Sequence, residues 1–184
     1  VRVEKVSNQE IKISFNEYLP DSLWCSLGED KKCFFFDENG FSFALAPTLS
    51  GESMVRYYSS ENVAELGKTP FSESDYATTK EFIRLLSGIG WYITKVEINS
   101  ARDVFYSLSQ GSELKATLNE EVAKTFSNLE TILGSKEFGH LKPGNFQYID
   151  LRFGTRVFVN EELLSSLSTT TATTTVIESE PTQE

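Results

Sequence analysis

Histidine and cysteine, the residues most used for nucleophilic and metal chemistry, are scarce in this sequence. It holds one histidine, His140, and two cysteines, Cys25 and Cys33. A serine or cysteine triad would need His140 as its base, but this residue follows Gly139 in a loop and has no identifiable nucleophile beside it. The same inventory excludes a zinc site built on several histidines. We therefore expect neither nucleophilic catalysis nor a metal site.

The carboxylates that stand out are neighbours along the chain, at Glu29-Asp30, Glu120-Glu121 and Glu161-Glu162. Adjacent carboxylates do not face each other across a cleft, as acid–base hydrolysis of a glycoside requires. The run Asp37–Gly40 resembles part of a calcium loop, but the remaining oxygen ligands are missing. The sequence also lacks a phosphate-binding glycine loop and a Gly-x-Ser-x-Gly elbow. These observations predict a protein that is not an enzyme and that binds no cofactor.

Charge and length narrow the class of partner. The 184 residues include 17 Lys and Arg against 27 Asp and Glu, a net charge of −10. Nucleic acid and anionic membrane surfaces are disfavoured as partners, because phosphate contacts require Lys and Arg. No apolar run approaches the roughly 18 residues of a transmembrane helix. Because the chain begins with Val1, we interpret it as a piece of a longer protein, with any membrane anchor upstream.

Hydrophobic patterning predicts an α+β fold with more strand than helix. Strands are expected from alternation and β-branched content in the segments 1–6, 11–15, 23–25, 33–36, 41–45, 54–58, 91–98, 103–108, 113–118, 146–153 and 156–159. One helix is expected between Ser72 or Ser74 and Gly88, and a second between an Asn119 cap and Gly134. Short turns favour a mostly antiparallel sheet with the two helices inserted, preceded by a hairpin. That hairpin must dock either on the rest of the chain or on residues upstream.

Two local features leave alternatives open. Cys25 and Cys33 flank a hairpin turn, so they could form a disulfide or remain two half-buried thiols, and an oxidising compartment favours the bridge. The strand Arg156–Val159 ends the patterned part of the chain. It is either a sheet edge able to pair with another chain or a strand shielded by Glu161–Leu164. Residues 165–184 are dominated by Ser and Thr, which predicts a disordered tail.

The order of four motifs resembles the extracytoplasmic part of the bacterial cell-division family FtsQ, called DivIB in Gram-positive bacteria. The motifs are the strand Glu10–Pro20, the block from Trp24-Cys25 to Cys33–Gly40, the helix-strand-strand-strand-helix order, and Tyr148–Phe153, similar to the family's IDLRY. Tyr18 departs from the family pattern, which usually has Arg there. The resemblance implies three parts: residues 1–20 as the last hairpin of a POTRA domain, 21–164 as the family's β domain, and 165–184 as a tail without a family counterpart.

The resemblance also implies a function. FtsQ-like proteins are not enzymes but scaffolds of the divisome in septum formation. They are single-pass proteins that bind bitopic FtsB- and FtsL-type proteins on the extracytoplasmic side of the cytoplasmic membrane. The family's partner adds a strand beside the final β-strand, which here carries the expected partner-binding residues Thr155, Arg156, Val157, Phe158 and Val159. Asp150 and Arg152 alternate with Ile149, Leu151 and Phe153, so we expect the two charged side chains to pair on one face of the preceding strand and to serve the fold.

Two other functions remain open from the sequence. The chain could be a POTRA-type protein-binding module of another envelope assembly or export system. It could also be an envelope hydrolase, which would require two facing carboxylates in a polar pocket or a nucleophile against His140.

Overall fold

The computed structural model describes residues 2–28, 32–161 and 175–178. An N-terminal hairpin is formed by β1 (Arg2–Lys5) and β2 (Ile11–Ser14). The next strands are β3 (Ser22–Cys25), β4 (Cys33–Phe36), β5 (Ser42–Leu45) and β6 (Arg56–Ser59). Helix α1 (Glu73–Gly88) leads to β7 (Ile93–Ile98), β8 (Asp103–Leu108) and β9 (Ser112–Thr117). Helix α2 (Val122–Leu133) leads to β10 (Tyr148–Phe153), β11 (Arg156–Asn160) and β12 (Thr175–Glu178).

The α+β prediction is confirmed, and the main sheet is mixed. Within the described residues its strand order is β12-β11-β10-β9-β8-β7-β6-β3-β4-β5, and the N-terminal hairpin forms a separate two-stranded sheet. Three neighbouring pairs are parallel: β3 with β6, β6 with β7, and β9 with β10. The parallel pairs β6–β7 and β9–β10 follow from the inserted helices α1 and α2. A helical crossover returns the chain in the same direction, whereas a tight turn reverses it.

The two helices pack side by side over one face of this sheet. Phe82 of α1 lies 5.0 Å from the ring of Tyr106 on β8 and meets Phe126 of α2 edge-on at 6.4 Å. Ser72 caps α1 as predicted, its Oγ accepting from the Asp75 N–H at 3.1 Å. The predicted Asn119 cap of α2 is wrong. The helix begins after Glu121, and the Asn119 side chain donates instead to the Ala101 carbonyl.

A tyrosine network ties α1 to the strands beneath it. The Tyr76 hydroxyl donates to Asp21 at 3.0 Å and lies 2.7 Å from Ser22 Oγ at the start of β3. The Tyr57 hydroxyl lies 3.2 Å from Thr79 Oγ1. Gly40 closes the turn Asp37–Gly40 with φ 78°, and an added Cβ there would stand 3.1 Å from the Tyr76 ring. Asn39 has no positive φ, so this turn is not of the type I′ form in which an Asn-Gly pair is common.

The N-terminal hairpin is formed as predicted, but its apolar side chains do not dock on the main sheet. Val3, Ile11, Ile13 and Phe15 are 61–65% exposed. The contact with the main sheet comes from the connecting segment, where the Tyr18 ring lies 5.4 Å from Phe41 and 5.3 Å from Phe43 beside β5.

The buried tyrosines predict a loss of stability in alkali. Burial raises the pKa of Tyr57, Tyr76 and Tyr106 above the ordinary tyrosine value. Their stabilising effect is therefore complete below the ordinary tyrosine pKa of about 10 and is lost as pH rises towards the raised values. Spectrophotometric titration near 295 nm should show these three phenols ionising together with unfolding, and Tyr106→Phe should move that step to higher pH. Reversible ionisation of all seven tyrosines near pH 10 in a folded chain would contradict this.

Candidate partner-binding edge

The hairpin β10–β11 brings the chain to one end of the sheet. Phe153 and Arg156 pair across a two-residue loop of Gly154 and Thr155, in which Gly154 has φ 65° at the first loop position. A glycine with positive φ at this position is typical of a type II′ turn, whose twist matches that of the flanking strands. The hairpin therefore places β11 on the outer side of β10.

Backbone geometry sets which groups of β11 point away from β10. The residues that flank a two-residue loop are a hydrogen-bonded pair, so the N–H and C=O of Arg156 face β10. The Asn160 carbonyl also faces β10, because it accepts from the Gln147 N–H at 2.7 Å. The direction of the backbone N–H and C=O groups alternates from one residue to the next along a strand. The groups of Val157 and Val159 therefore face outward, away from β10.

The side chains of β11 hold the strand in place. Val157 and Val159 are 3% and 6% exposed and belong to the core on the helix side of the sheet. On the opposite face the ring of Phe158 meets Phe153 edge-on at 5.2 Å. The two ends of the hairpin are also tied down, since Asn128 of α2 donates to the Gly154 carbonyl at 2.7 Å and Asn160 donates to Gln147 Oε1 at 2.7 Å. The outward backbone groups are thus presented on a fixed strand.

In this structure the outer side of β11 is paired with β12. The pairing is antiparallel and sets Val157 opposite Ile177 and Val159 opposite Thr175. The prediction of a disordered tail over 165–184 does not hold for Thr175–Glu178, and the rest of that segment lies outside the described residues. The alternative of shielding by Glu161–Leu164 is described only at Glu161, whose carboxylate lies 2.7 Å from His140 Nε2.

An arginine fork supports the edge from the open face of the sheet. Arg152 Nε and Nη2 donate to the two carboxylate oxygens of Asp150 at 2.9 and 2.7 Å, and Nη1 donates to Asp103 of β8 at 2.8 Å. The hydrogen bonds to Asp150 and then to Asp103 raise the Arg152 pKa further above its ordinary value, against an opposing effect of burial. Asp150 is 5% exposed, so the fork compensates a buried carboxylate.

The expected pairing of Asp150 with Arg152 is thus present, but two details of this strand differ from the sequence prediction. Asp103 is a third member that sequence reasoning missed, because it comes from a strand two places away in the sheet. Phe153 is exposed on 54% of its surface rather than sharing the core face of Ile149 and Leu151. A register shift between Asp150 and Phe153 accounts for this, since a bulge changes the face of the residues after it.

The other candidate residues lie away from this edge. Cys25 and Cys33 form a disulfide between paired positions of β3 and β4, so the bridged alternative is the one present. A groove of about 790 Å³ adjoins it, and the described residues that line the groove include no carboxylate. His140 is exposed and paired with Glu161. No cluster of three or more potential metal-ligating carboxylates, histidines or cysteines occurs in the described parts of the chain.

The disulfide bears on location. Disulfides form and persist outside the reducing cytoplasm, so Cys25–Cys33 is consistent with an extracytoplasmic domain. Across residues 2–28, 32–161 and 175–178, no helix is long and apolar enough to cross a membrane.

Removing the Arg152 fork should destabilise the fold. In Arg152→Gln the buried Asp150 carboxylate loses its bidentate partner, and we expect the free energy of unfolding to fall by about 2 kcal/mol. Urea denaturation measures this loss. The matched control is Arg84→Gln, which removes a similar fork to Glu81 on the exposed surface of α1 and should change stability little. Equal effects of the two substitutions would contradict the role given to Arg152.

Comparison with protein-family models finds no family that matches the chain, and comparison with curated proteins finds no matching relative. A function therefore has to be inferred from the molecule itself. Three features bear on it: the outward backbone groups of Val157 and Val159, the Arg152 fork that supports this edge, and the order of motifs in the sequence.

Proposed function

We propose that this chain is a non-enzymatic scaffold of the bacterial divisome. It binds bitopic division proteins of the FtsB and FtsL type on the extracytoplasmic side of the cytoplasmic membrane, where its full-length form is held by a single membrane-spanning anchor. The partner contributes a β-strand that pairs with Thr155–Val159. The observation that carries the proposal is that β11 accepts a strand on its outer side, the place that β12 takes in this structure.

The fixed position of β11 supports binding by strand addition. Backbone hydrogen bonds supply affinity in this mode of recognition, and they require N–H and C=O groups that are already aligned. Val157 and Val159 are held by the core, and the loop is held by Asn128. A strand that is ordered before binding loses little conformational entropy when a partner pairs with it.

The resemblance to the FtsQ family supplies the identity of the partner. Its motif order ends in Tyr148–Phe153 followed by a last strand, and β10 and β11 occupy those positions. The disulfide Cys25–Cys33 agrees with a location outside the cytoplasm.

Replacing Val157 by proline tests the proposal. Val157→Pro removes an outward N–H from β11, so binding to the purified extracytoplasmic parts of the FtsB- and FtsL-type proteins should fall at least tenfold, about 1.4 kcal/mol or more. Isothermal titration calorimetry measures the affinity. Amide exchange in β7 to β9 shows whether the core remains folded.

Two controls separate backbone pairing from other effects. Val157→Ala loses side-chain volume but keeps the N–H, so its binding should be nearly unchanged. Leu45→Pro removes an outward N–H at the opposite end of the sheet, since the neighbouring Ala46 N–H bonds to Cys33 of β4, and it should also bind normally. Full binding by a folded Val157→Pro variant would refute strand addition at β11.

A further inference from the structure

The partner-binding edge is occupied by a segment of the same chain. Residues Thr175–Glu178 form β12 and pair with β11 through the register Val159–Thr175, Phe158–Val176, Val157–Ile177 and Arg156–Glu178. We propose that β12 is an intrachain competitor that covers the edge and must leave before a partner strand can pair there. This inference rests on the proposed function for the partner, but the covering of β11 by β12 is testable without it.

The register identifies the residues of β12 whose backbone makes the contact. The backbone N–H and C=O groups of Val157 and Val159 point away from β10. The residues opposite them, Ile177 and Thr175, therefore direct their own N–H and C=O groups toward β11. The N–H of Val176 points to the other side. Ile177 and Thr175 therefore contribute N–H groups to the ladder, whereas Val176 between them does not.

The connection to the sheet makes β12 an effective but displaceable cover. Residues 161–174 tether it to the end of β11, which gives it the high effective concentration of an intramolecular ligand. The strand is only four residues long, and the backbone entropy lost in ordering it opposes the few ladder hydrogen bonds that it gains. A partner with a longer strand or with side-chain anchors can therefore replace it.

Covering the edge also gives the free protein an advantage. An exposed edge strand pairs readily with edges of other molecules and so promotes aggregation. With β12 in place, the outermost strand at this end of the sheet has only four residues, and short edge strands are less prone to such pairing. A cover from the same chain therefore lessens pairing with other molecules until a partner of higher affinity arrives. The apparent association constant of the partner then equals its intrinsic association constant multiplied by the fraction of molecules whose edge is open.

Two proline variants of the full chain test this inference. Ile177→Pro removes an N–H that points at β11 and should release β12. Val176→Pro, the matched control, removes an N–H that points away and should leave β12 paired. Amide hydrogen exchange at Val157 and Val159 should be at least tenfold faster in Ile177→Pro than in Val176→Pro. Equal exchange in the two variants would overturn the inference.

Binding measurements then test the competition. The probe is a labelled synthetic peptide with the sequence of residues 173–180, TTTVIESE, measured by fluorescence anisotropy. It should bind Ile177→Pro at least fivefold more tightly than Val176→Pro, because β12 covers the edge for most of the time only in the latter. The FtsB-type extracytoplasmic part should show a gain of about tenfold, the value expected if the edge is open about one tenth of the time. Equal affinities of both probes for the two variants would refute competition.

The two proposals can fail separately. A peptide that discriminates between the variants while the division proteins bind neither would refute the proposed function and retain the intrachain cover. Binding of the division proteins with no difference between the variants would refute the cover and retain the function. A dimer of the unmodified chain that dissociates in Ile177→Pro, detected by light scattering, would show that β12 pairs with a second copy and would overturn the intrachain assignment.

Discussion

A strand at the end of a β-sheet has backbone donors and acceptors with no strand beyond it to pair with them. Much of this structure can be understood from that constraint. Helix α2 crosses over the sheet and sets β10 parallel to β9, and the tight turn at Gly154 then returns β11 as the next strand outward. The outward groups of β11 must be paired by something. Both the function that we propose and the role that we assign to β12 are answers to that one requirement.

The charged side chains that lie beside the edge also hold its strands in place. A buried carboxylate such as Asp150 is costly in a sheet unless it is compensated, and the Arg152 fork supplies the compensation while joining β10 to β8 across the intervening strand. The fork lies on the face that carries no helix. It therefore fixes the last strands from the side that α1 and α2 do not cover, and the edge becomes a rigid surface rather than a frayed end.

The sequence predicted the parts of the fold that depend on local patterning. The strand Asp103–Leu108 matches to the residue, and the helix α1 cap at Ser72 follows from a side chain able to accept an early helical N–H. Pairing over long distance was not accessible: alternation gives a strand but not its neighbour, so the parallel pairs and the Asp103 contact were missed. The strand β12 was missed for another reason, since Ser- and Thr-rich composition argues against burial in a core, whereas an edge strand needs only backbone pairing.

Site-specific photo-crosslinking in the source cells tests most directly whether partners bind at the β11 end of the sheet, as we propose. A photoreactive benzoylphenylalanine replaces either Arg156 on β11 or Leu45 on β5, two exposed positions at opposite ends of the same sheet. We expect covalent products with an FtsB- or FtsL-type protein from position 156 and none from position 45. Products from position 45 alone, or from both positions equally, would contradict the account.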